Sequence, residues 1–228
     1  MISHKKLGFI LINKPIGITS HDVVNKLREI TRIKKIGHSG TLDPFADGLL
    51  ILAIGREFTK KLFNFQKKDK EYIATLKLGA VSDSFDKEGK ISEIEIKKIP
   101  TKREVENILN TFLGEIEQMP PIFSAKKIKG KKAYQLARKG VKVDLKPQKI
   151  KIYKISLLDY HFPFLKIKIN CSYGTYIRSL ANELGEKLGC GAYLENLTRT
   201  KIGDFSIKNA VELSKLNQQN WTNYLYSF

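Results

Sequence analysis

The chain of 228 residues predicts an α+β fold built on a mixed or antiparallel sheet. Three observations carry that expectation. Strand-length apolar runs alternate irregularly with helical periodicity, which argues against regular βαβ repeats. Strand runs come in pairs separated by turns, as at 149–158 and 164–171. No internal repeat, low-complexity tract or Ser/Gly linker divides the chain. A single domain over 1–228 with one basic protruding segment is the economical reading.

The elements follow in order. Leu7 to Ile12 is a buried strand, ended by the turn Lys14-Pro15-Ile16-Gly17. Ser20 suits the N-cap of a helix with Val23, Val24, Leu27 and Ile30 on one face. The run Leu49 to Ile54 is apolar throughout, so it is a strand covered on both faces. After Gly55, a short helix bears Phe58, Leu62 and Phe65. Tyr72 to Leu78 alternates as a strand. Thr101 and Glu104 have capping-box spacing for a helix through Val105, Ile108, Leu109 and Phe112. A helix over 133–139 is expected to stop at Gly140. The helix 175–188 buries Ile177, Leu180, Leu184 and Leu188 before Gly189. Leu194 to Ile202 reads as a last core strand and Ala210 to Leu216 as a last short helix.

Composition narrows the class. Lys and Arg number 41 against 23 Asp and Glu, a formal charge of +18, which favours a phosphate-bearing partner, most commonly nucleic acid. Two cysteines, Cys171 and Cys190, with four scattered histidines give no metal-ligand spacing and no disulfide framework. A reducing cytoplasm is therefore the expected compartment, since disulfides mark oxidising ones. The N-terminal apolar run is too short for a signal segment or membrane span. No cofactor is expected, and a monomer is the default.

Two stretches could carry chemistry. Gly37-His38-Ser39-Gly40-Thr41-Leu42-Asp43-Pro44 places one carboxylate in a glycine-studded loop of a basic protein, with His38 five residues before it on the same loop. Asp before Pro also starts ordinary turns, so this dipeptide alone decides nothing. Asp47 lies four residues on and raises a glycosidase-like carboxylate pair. The charge and the lack of a sugar-stacking signature oppose that reading. No Gly-Lys-Ser/Thr follows the glycines, so the loop is not that of an NTPase. In the second stretch, Cys171 to Leu180, Arg178 falls in the first turn of a helix, where a cation opposes the helix dipole and calls for a nearby anion. Asp43 is one candidate; phosphate or solvent is another, and spacing does not choose.

These segments resemble the bacterial-type tRNA pseudouridine-55 synthases, the TruB family, along nearly the whole chain. The matching pieces are Asn13-Lys14-Pro15-x-Gly17-x-Thr19-Ser20, Gly37-His38-x-Gly40-Thr41-Leu42-Asp43-Pro44-x-Ala46-x-Gly48 and Lys70-x-Tyr72 with Leu78-Gly79. Then come Asp83-x-x-Asp86-x-x-Gly89, Gln118-x-Pro120-Pro121-x-Phe123-Ser124-Ala125, Cys171-Ser172-x-Gly174-Thr175-Tyr176-Ile177-Arg178 and Leu197-x-Arg199-Thr200-x-x-Gly203-x-Phe205.

The resemblance implies a pseudouridine-synthase fold, with a mostly antiparallel sheet, and isomerisation of the T-loop uridine of tRNA. Asp43 corresponds to the essential carboxylate and Tyr72 to the aromatic that stacks on the flipped base. Arg178 corresponds to the arginine paired with that carboxylate. Leu197 is the apolar residue against the base, and His38 helps hold the uridine out of its stack. Lys14 and Pro15 resemble a buttress of the aromatic. The segment 120–147 resembles the RNA-clamping thumb, in which Lys126, Lys127, Lys129, Lys131 and Lys132 supply salt-sensitive affinity. No PUA-like C-terminal domain is expected, and with it no guide RNA and no obligate protein partner. Departures from the family pattern are Asp47, Tyr173 where Lys, Ser or Arg is typical, and Glu195-Asn196 before Leu197. The competing reading is a non-catalytic RNA-binding module of the same fold.

Overall fold

In the computed structural model, which describes residues 7–124, 126–128, 131–132 and 145–227, the chain forms two compact units. The first takes Met1–Tyr72 and Leu197–Phe228, the second Ile73–Asn196. Among the described residues no helix is long and apolar enough to cross a membrane.

The first unit is organised by two largely apolar strands. Strand β1 (Gly8–Lys14) pairs antiparallel with β3 (Asp47–Ile54) along its whole length, from Gly8 opposite Ile54 to Lys14 opposite Gly48. The other edge of β3 is shared. β2 (Ile36–His38) pairs antiparallel with its end, and β12 (Ala192–Ile202) runs parallel to its start through Thr198 opposite Asp47 and Arg199 opposite Gly48. Successive side chains of a strand point to opposite faces, so a continuous apolar run needs cover on both. Helix α1 (Ser20–Thr31) supplies one cover: Val23, Val24, Leu27 and Ile30 pack with Ile10, Ile12, Leu50, Leu52 and Ile54. Helix α2 (Arg56–Gln66) supplies the other: Leu62 and Phe65 pack with Phe9, Leu11, Leu49, Ile51 and Ala53. Phe9 and Phe65 meet edge to face at 4.8 Å.

Two expectations change here. The N-cap of α1 is Thr19, not Ser20: the Thr19 hydroxyl accepts from the Asp22 N–H, and the Asp22 carboxylate accepts from the Thr19 N–H. That capping box leaves the Ser20 hydroxyl for another task. The stretch 210–216 is not a helix. Val211–Glu212 forms strand β13, parallel to β1 through Val211 opposite Ile12, and a single 3-10 turn follows at Leu213–Lys215. The open edge of β1 takes the backbone groups that a helix would have paired internally, and Val211 and Leu216 still reach the α1 core.

In the second unit, β10 (Gln148–His161) lies between β11 (Phe164–Cys171) and β7 (Gly114–Gln118), antiparallel to both. Strand β4 (Lys70–Leu78), which carries the chain across the unit boundary, neighbours β11. Leu165, Ile167, Ile169 and Cys171 alternate into the core with no exposure. β5 (Ala80–Ser82) and β6 (Ile91–Glu93) pair separately. Helix α3 (Lys102–Asn110) opens on the expected Thr101–Glu104 capping box. Helix α4 (Ile177–Leu188) starts two residues later than its periodicity predicts and ends at Gly189, whose φ of 72° suits a glycine C-cap. Its entry is set by Gln118, which donates to the Tyr176 carbonyl at 3.0 Å and accepts from the Tyr176 N–H at 2.8 Å. β8 (Lys127–Ile128) and β9 (Lys131–Lys132) pair antiparallel at the backbone. The helix expected over 133–139 lies outside the described residues.

Candidate active site

In the first unit the loop between β2 and β3 is held down at nearly every residue before and after Asp43. His38 is the last residue of β2, opposite Leu52 of β3, rather than a loop residue, and its Nδ1 accepts from the Gly40 N–H at 3.3 Å. The Ser39 N–H donates to the Ile51 carbonyl at 2.9 Å. Ser20, freed from capping, clamps Leu42: its Oγ accepts from the Leu42 N–H at 2.8 Å and donates to the Leu42 carbonyl at 3.2 Å. Past Asp43, the Pro44 carbonyl accepts from the Gly17 N–H at 2.9 Å, and the Ala46 N–H donates to the Asp43 carbonyl at 3.1 Å. Lys14 is fully buried, with Nζ donating to the carbonyls of Ile18 at 2.7 Å and Pro15 at 2.9 Å. Leu42, Phe45 and Ala46 are buried while Asp43 is half-exposed. Apolar anchors on both sides thus hold the half-buried Asp43 on a fixed backbone.

Tyr72 is buried at the third position of β4. The start of that strand lies beside β12: the Thr200 hydroxyl donates to the Glu71 carboxylate at 2.9 Å. Leu197 and Arg199 project from β12 on one face and are both buried. Sequence reading quoted Arg199 only inside a motif and gave it no role. Its guanidinium is fully buried, donating from Nε to the Leu49 carbonyl at 2.8 Å and from Nη2 to the Gly40 carbonyl at 3.2 Å. Burial pushes its pKa below the ordinary arginine value, and the Tyr72 and Asp43 interactions pull the other way. An arginine two residues from Leu197, on the same face of the strand, was the available signal. Asp47 begins β3 half-exposed, opposite Thr198.

Arg178 belongs to the second unit, at the second residue of α4. Within that unit its Nη1 pairs with the Asp86 carboxylate at 3.1 Å. Nη1 also donates to the Ser84 carbonyl at 3.3 Å, and Nη2 to the Phe123 carbonyl at 2.8 Å. Asp86 accepts in turn from the Ser84 hydroxyl at 2.6 Å and the Glu88 N–H at 3.0 Å. The Asp83–Gly89 turn, through Ser84 and Asp86, and Phe123 at the start of the 120–147 segment therefore hold this arginine. Lys126 donates to the Lys146 carbonyl at 3.3 Å and the Gln148 Oε1 at 3.4 Å. Lys127, Lys131 and Lys132 are described as backbone only, and Lys129 lies outside the described residues.

A half-buried carboxylate on a clamped loop, with Tyr72 and Arg199 buried in the same unit, defines a candidate enzyme site. Comparison gives the class. Residues 28–177 match the model of the TruB family pseudouridylate synthase N-terminal domain, and residues 178–227 that of the tRNA pseudouridylate synthase B C-terminal domain. The tRNA pseudouridine synthase B of Protochlamydia amoebophila is 50% identical over 211 residues, covering 92% of this chain and 79% of the relative. The enzyme of the same name from Clostridium tetani is 48% identical, covering 93% and 73%. Among solved structures, a Cbf5-Nop10-Gar1 complex matches with a TM-score of 0.72 at 28% identity over 92% of this chain and 54% of that one. An H/ACA RNP bound to a substrate RNA containing 2'-deoxyuridine matches at 0.69 and 27%, over 92% and 52%. The chain spans about half the length of those solved chains. The chain belongs to the TruB family of pseudouridylate synthases, and its fold is the pseudouridine-synthase fold.

Proposed function

We propose that this chain converts a uridine of tRNA, the T-loop uridine at position 55, into pseudouridine, acting on tRNA directly. The observation that carries this reading is Asp43, half-buried on a backbone clamped by Ser20 at Leu42 and by Gly17 at Pro44. The reaction breaks the N1–C1′ bond and joins C5 to C1′. One base is detached and reattached, and the C5 proton is lost while N1 gains one, so no oxidant or external group is needed. A carboxylate facing C1′ stabilises the positive charge that develops as the bond breaks, as in glycoside cleavage. Tyr72 and Leu197 form the apolar surroundings that strengthen that interaction by excluding water, and Tyr72 stacks on the base. Extrusion of the uridine costs a few kcal/mol, part of which stacking recovers, and His38 helps keep it out of its stack. Arg178 serves as the catalytic cation carried by α4.

The +18 charge supports a polyanionic substrate, with Lys126, Lys127, Lys129, Lys131 and Lys132 contributing salt-sensitive contacts. Direct action without guide RNA or an obligate protein partner is favoured by the identity gradient: 50% to a tRNA pseudouridine synthase B against 28% to a chain of the Cbf5 complex. The two free thiols fit a cytoplasmic site of action. The test is incubation with unmodified tRNA transcripts followed by mapping of pseudouridine. Product at the T-loop uridine is expected from the wild type. Asp43→Asn is expected to give none while binding tRNA within about tenfold. No product from wild type that binds tRNA overturns the reading, and turnover by the variant moves the essential carboxylate elsewhere.

A further inference from the structure

The turn that links β11 to α4 carries Tyr173, a residue 55% exposed. A single exposed aromatic is ordinary and by itself says nothing. What sets this one apart is the backbone beneath it. On one side, the Ser172 N–H donates to the Lys151 carbonyl at 2.8 Å, and the Ser172 hydroxyl accepts from the Lys151 N–H at 2.9 Å. On the other, Gln148 donates to the Gly174 carbonyl at 2.7 Å, and the Thr175 hydroxyl donates to the Ser172 carbonyl at 2.9 Å. Gly174 makes the turn at a φ of 84°, which a side chain would strain. Tyr176, at the end of the turn, is held by both ends of the Gln118 amide. The Tyr173 ring is thus presented on a backbone fixed before any ligand arrives, and only its side-chain torsions remain to be ordered on contact.

The charge tied to this turn points to the kind of ligand. Gln148, which holds Gly174, also accepts from Lys126 at 3.4 Å. Two hydrogen bonds therefore join a lysine of the basic 120–147 segment to the residue after Tyr173. Lys149 and Lys151 stand opposite Glu117 and Glu115 of β7, which offset their charge, so Lys126 is the cation that the turn itself secures. An aromatic face with a cation tied to the same turn suits unpaired RNA, in which the base stacks on the ring and a phosphate meets the ammonium. A duplex offers no free base face, so the ligand is a nucleotide of a loop or single strand.

We propose that Tyr173 is a substrate-binding residue: its ring stacks on one unpaired base of the tRNA while Lys126 meets a neighbouring phosphate. This rests on the function proposed above and adds to it a contact on the second unit, five residues before Arg178. Stacking releases no counterions, so its loss lowers affinity alike at low and high salt, whereas loss of Lys126 flattens the salt dependence.

The test measures binding of unmodified tRNA by wild type, Tyr173→Phe, Tyr173→Ala and Lys126→Ala across a salt series, with thermal melting of each protein. A second series uses tRNA ligated with one abasic nucleotide at each unpaired position in turn. Tyr173→Ala is expected to bind about tenfold more weakly at every salt, towards the low end for one stacked base, and Tyr173→Phe within about threefold of wild type. Lys126→Ala is expected to reduce the salt slope by about one. One abasic position is expected to cost wild type about tenfold and Tyr173→Ala under about twofold, because ring and base form a single contact. The melting temperature of Tyr173→Ala is expected to stay within about 2 °C of wild type, as befits an exposed side chain. Any of five results overturns the proposal: Tyr173→Ala binding within about twofold of wild type, a loss that Tyr173→Phe shares, no abasic position coupled to residue 173, an unchanged slope in Lys126→Ala, or a melting drop beyond about 4 °C in Tyr173→Ala, which marks a packing role. Wild type that binds tRNA but forms no pseudouridine in it is a different failure, that of the function itself.

Discussion

Replacing Asp86 with asparagine removes the anion from an ion pair in which both side chains are more than nine-tenths buried. The size of the loss follows from what each group keeps. Arg178 retains the Ser84 and Phe123 carbonyls, and an asparagine oxygen can still accept from the Ser84 hydroxyl and the Glu88 N–H. What disappears is the negative charge, and the new amide can turn N–H groups toward a guanidinium that offers only donors. Breaking a buried pair by removing one partner costs roughly 3–5 kcal/mol, and the retained carbonyls put Asp86→Asn at the lower end, about 3 kcal/mol. For a chain of this length each kcal/mol moves the midpoint by about 2–4 °C, so a drop of roughly 6–12 °C is expected. Urea denaturation with paired thermal melts measures it. The control is the same change in an Arg178→Met background, where it is expected to cost under about 1 kcal/mol because no buried cation is left stranded. A loss below about 1 kcal/mol in the wild-type background, or an equal loss in both, would refute the pairing as the force that fixes Arg178.

Two further perturbations test other parts of the structure. Gly48→Ala sets a Cβ against the Arg199 backbone at a φ of 108° and is expected to cost at least about 2 kcal/mol, read as a lower urea midpoint with unchanged m-value. Glu104, hydrogen-bonded by Lys98 and by Thr101 at the start of α3, has its pKa lowered from 4.5 to about 2. A depressed carboxylate contributes stability above its unfolded pKa and loses it as pH falls through the folded one. The melting-temperature gap between wild type and Glu104→Gln is therefore expected to be full at neutral pH, to narrow below 4.5 and to close near 2; a gap independent of pH counts against the capping role.

Much of this protein was written locally. The unbroken apolar run of β3 demanded cover on both faces, and α1 and α2 provide it with the residues their periodicity marked. The Thr101–Glu104 box and Gly189 ended helices by chemistry confined to a few neighbouring residues. What local pattern could not decide was competition for the same group. Thr19 takes the cap that Ser20 also suits, which turns the Ser20 hydroxyl onto Leu42 of the loop 22 residues away. Val211 trades a helical turn for the free edge of β1.

The candidate site divides in the same way. Asp43, Tyr72, Leu197 and His38 stand out because motif and residue type mark them, whatever their neighbours in space. The partners that make them usable do not. Arg178 finds Asp86 across 92 residues of chain, and Arg199 reaches Leu49 across 150 and Gly40 across 159. The sequence by itself determined the candidate side chains and most of the strands and helices. Only the tertiary structure brought Asp86 to Arg178, because a buried charge must find its counter-charge in space, and spacing along the chain carries no record of that distance.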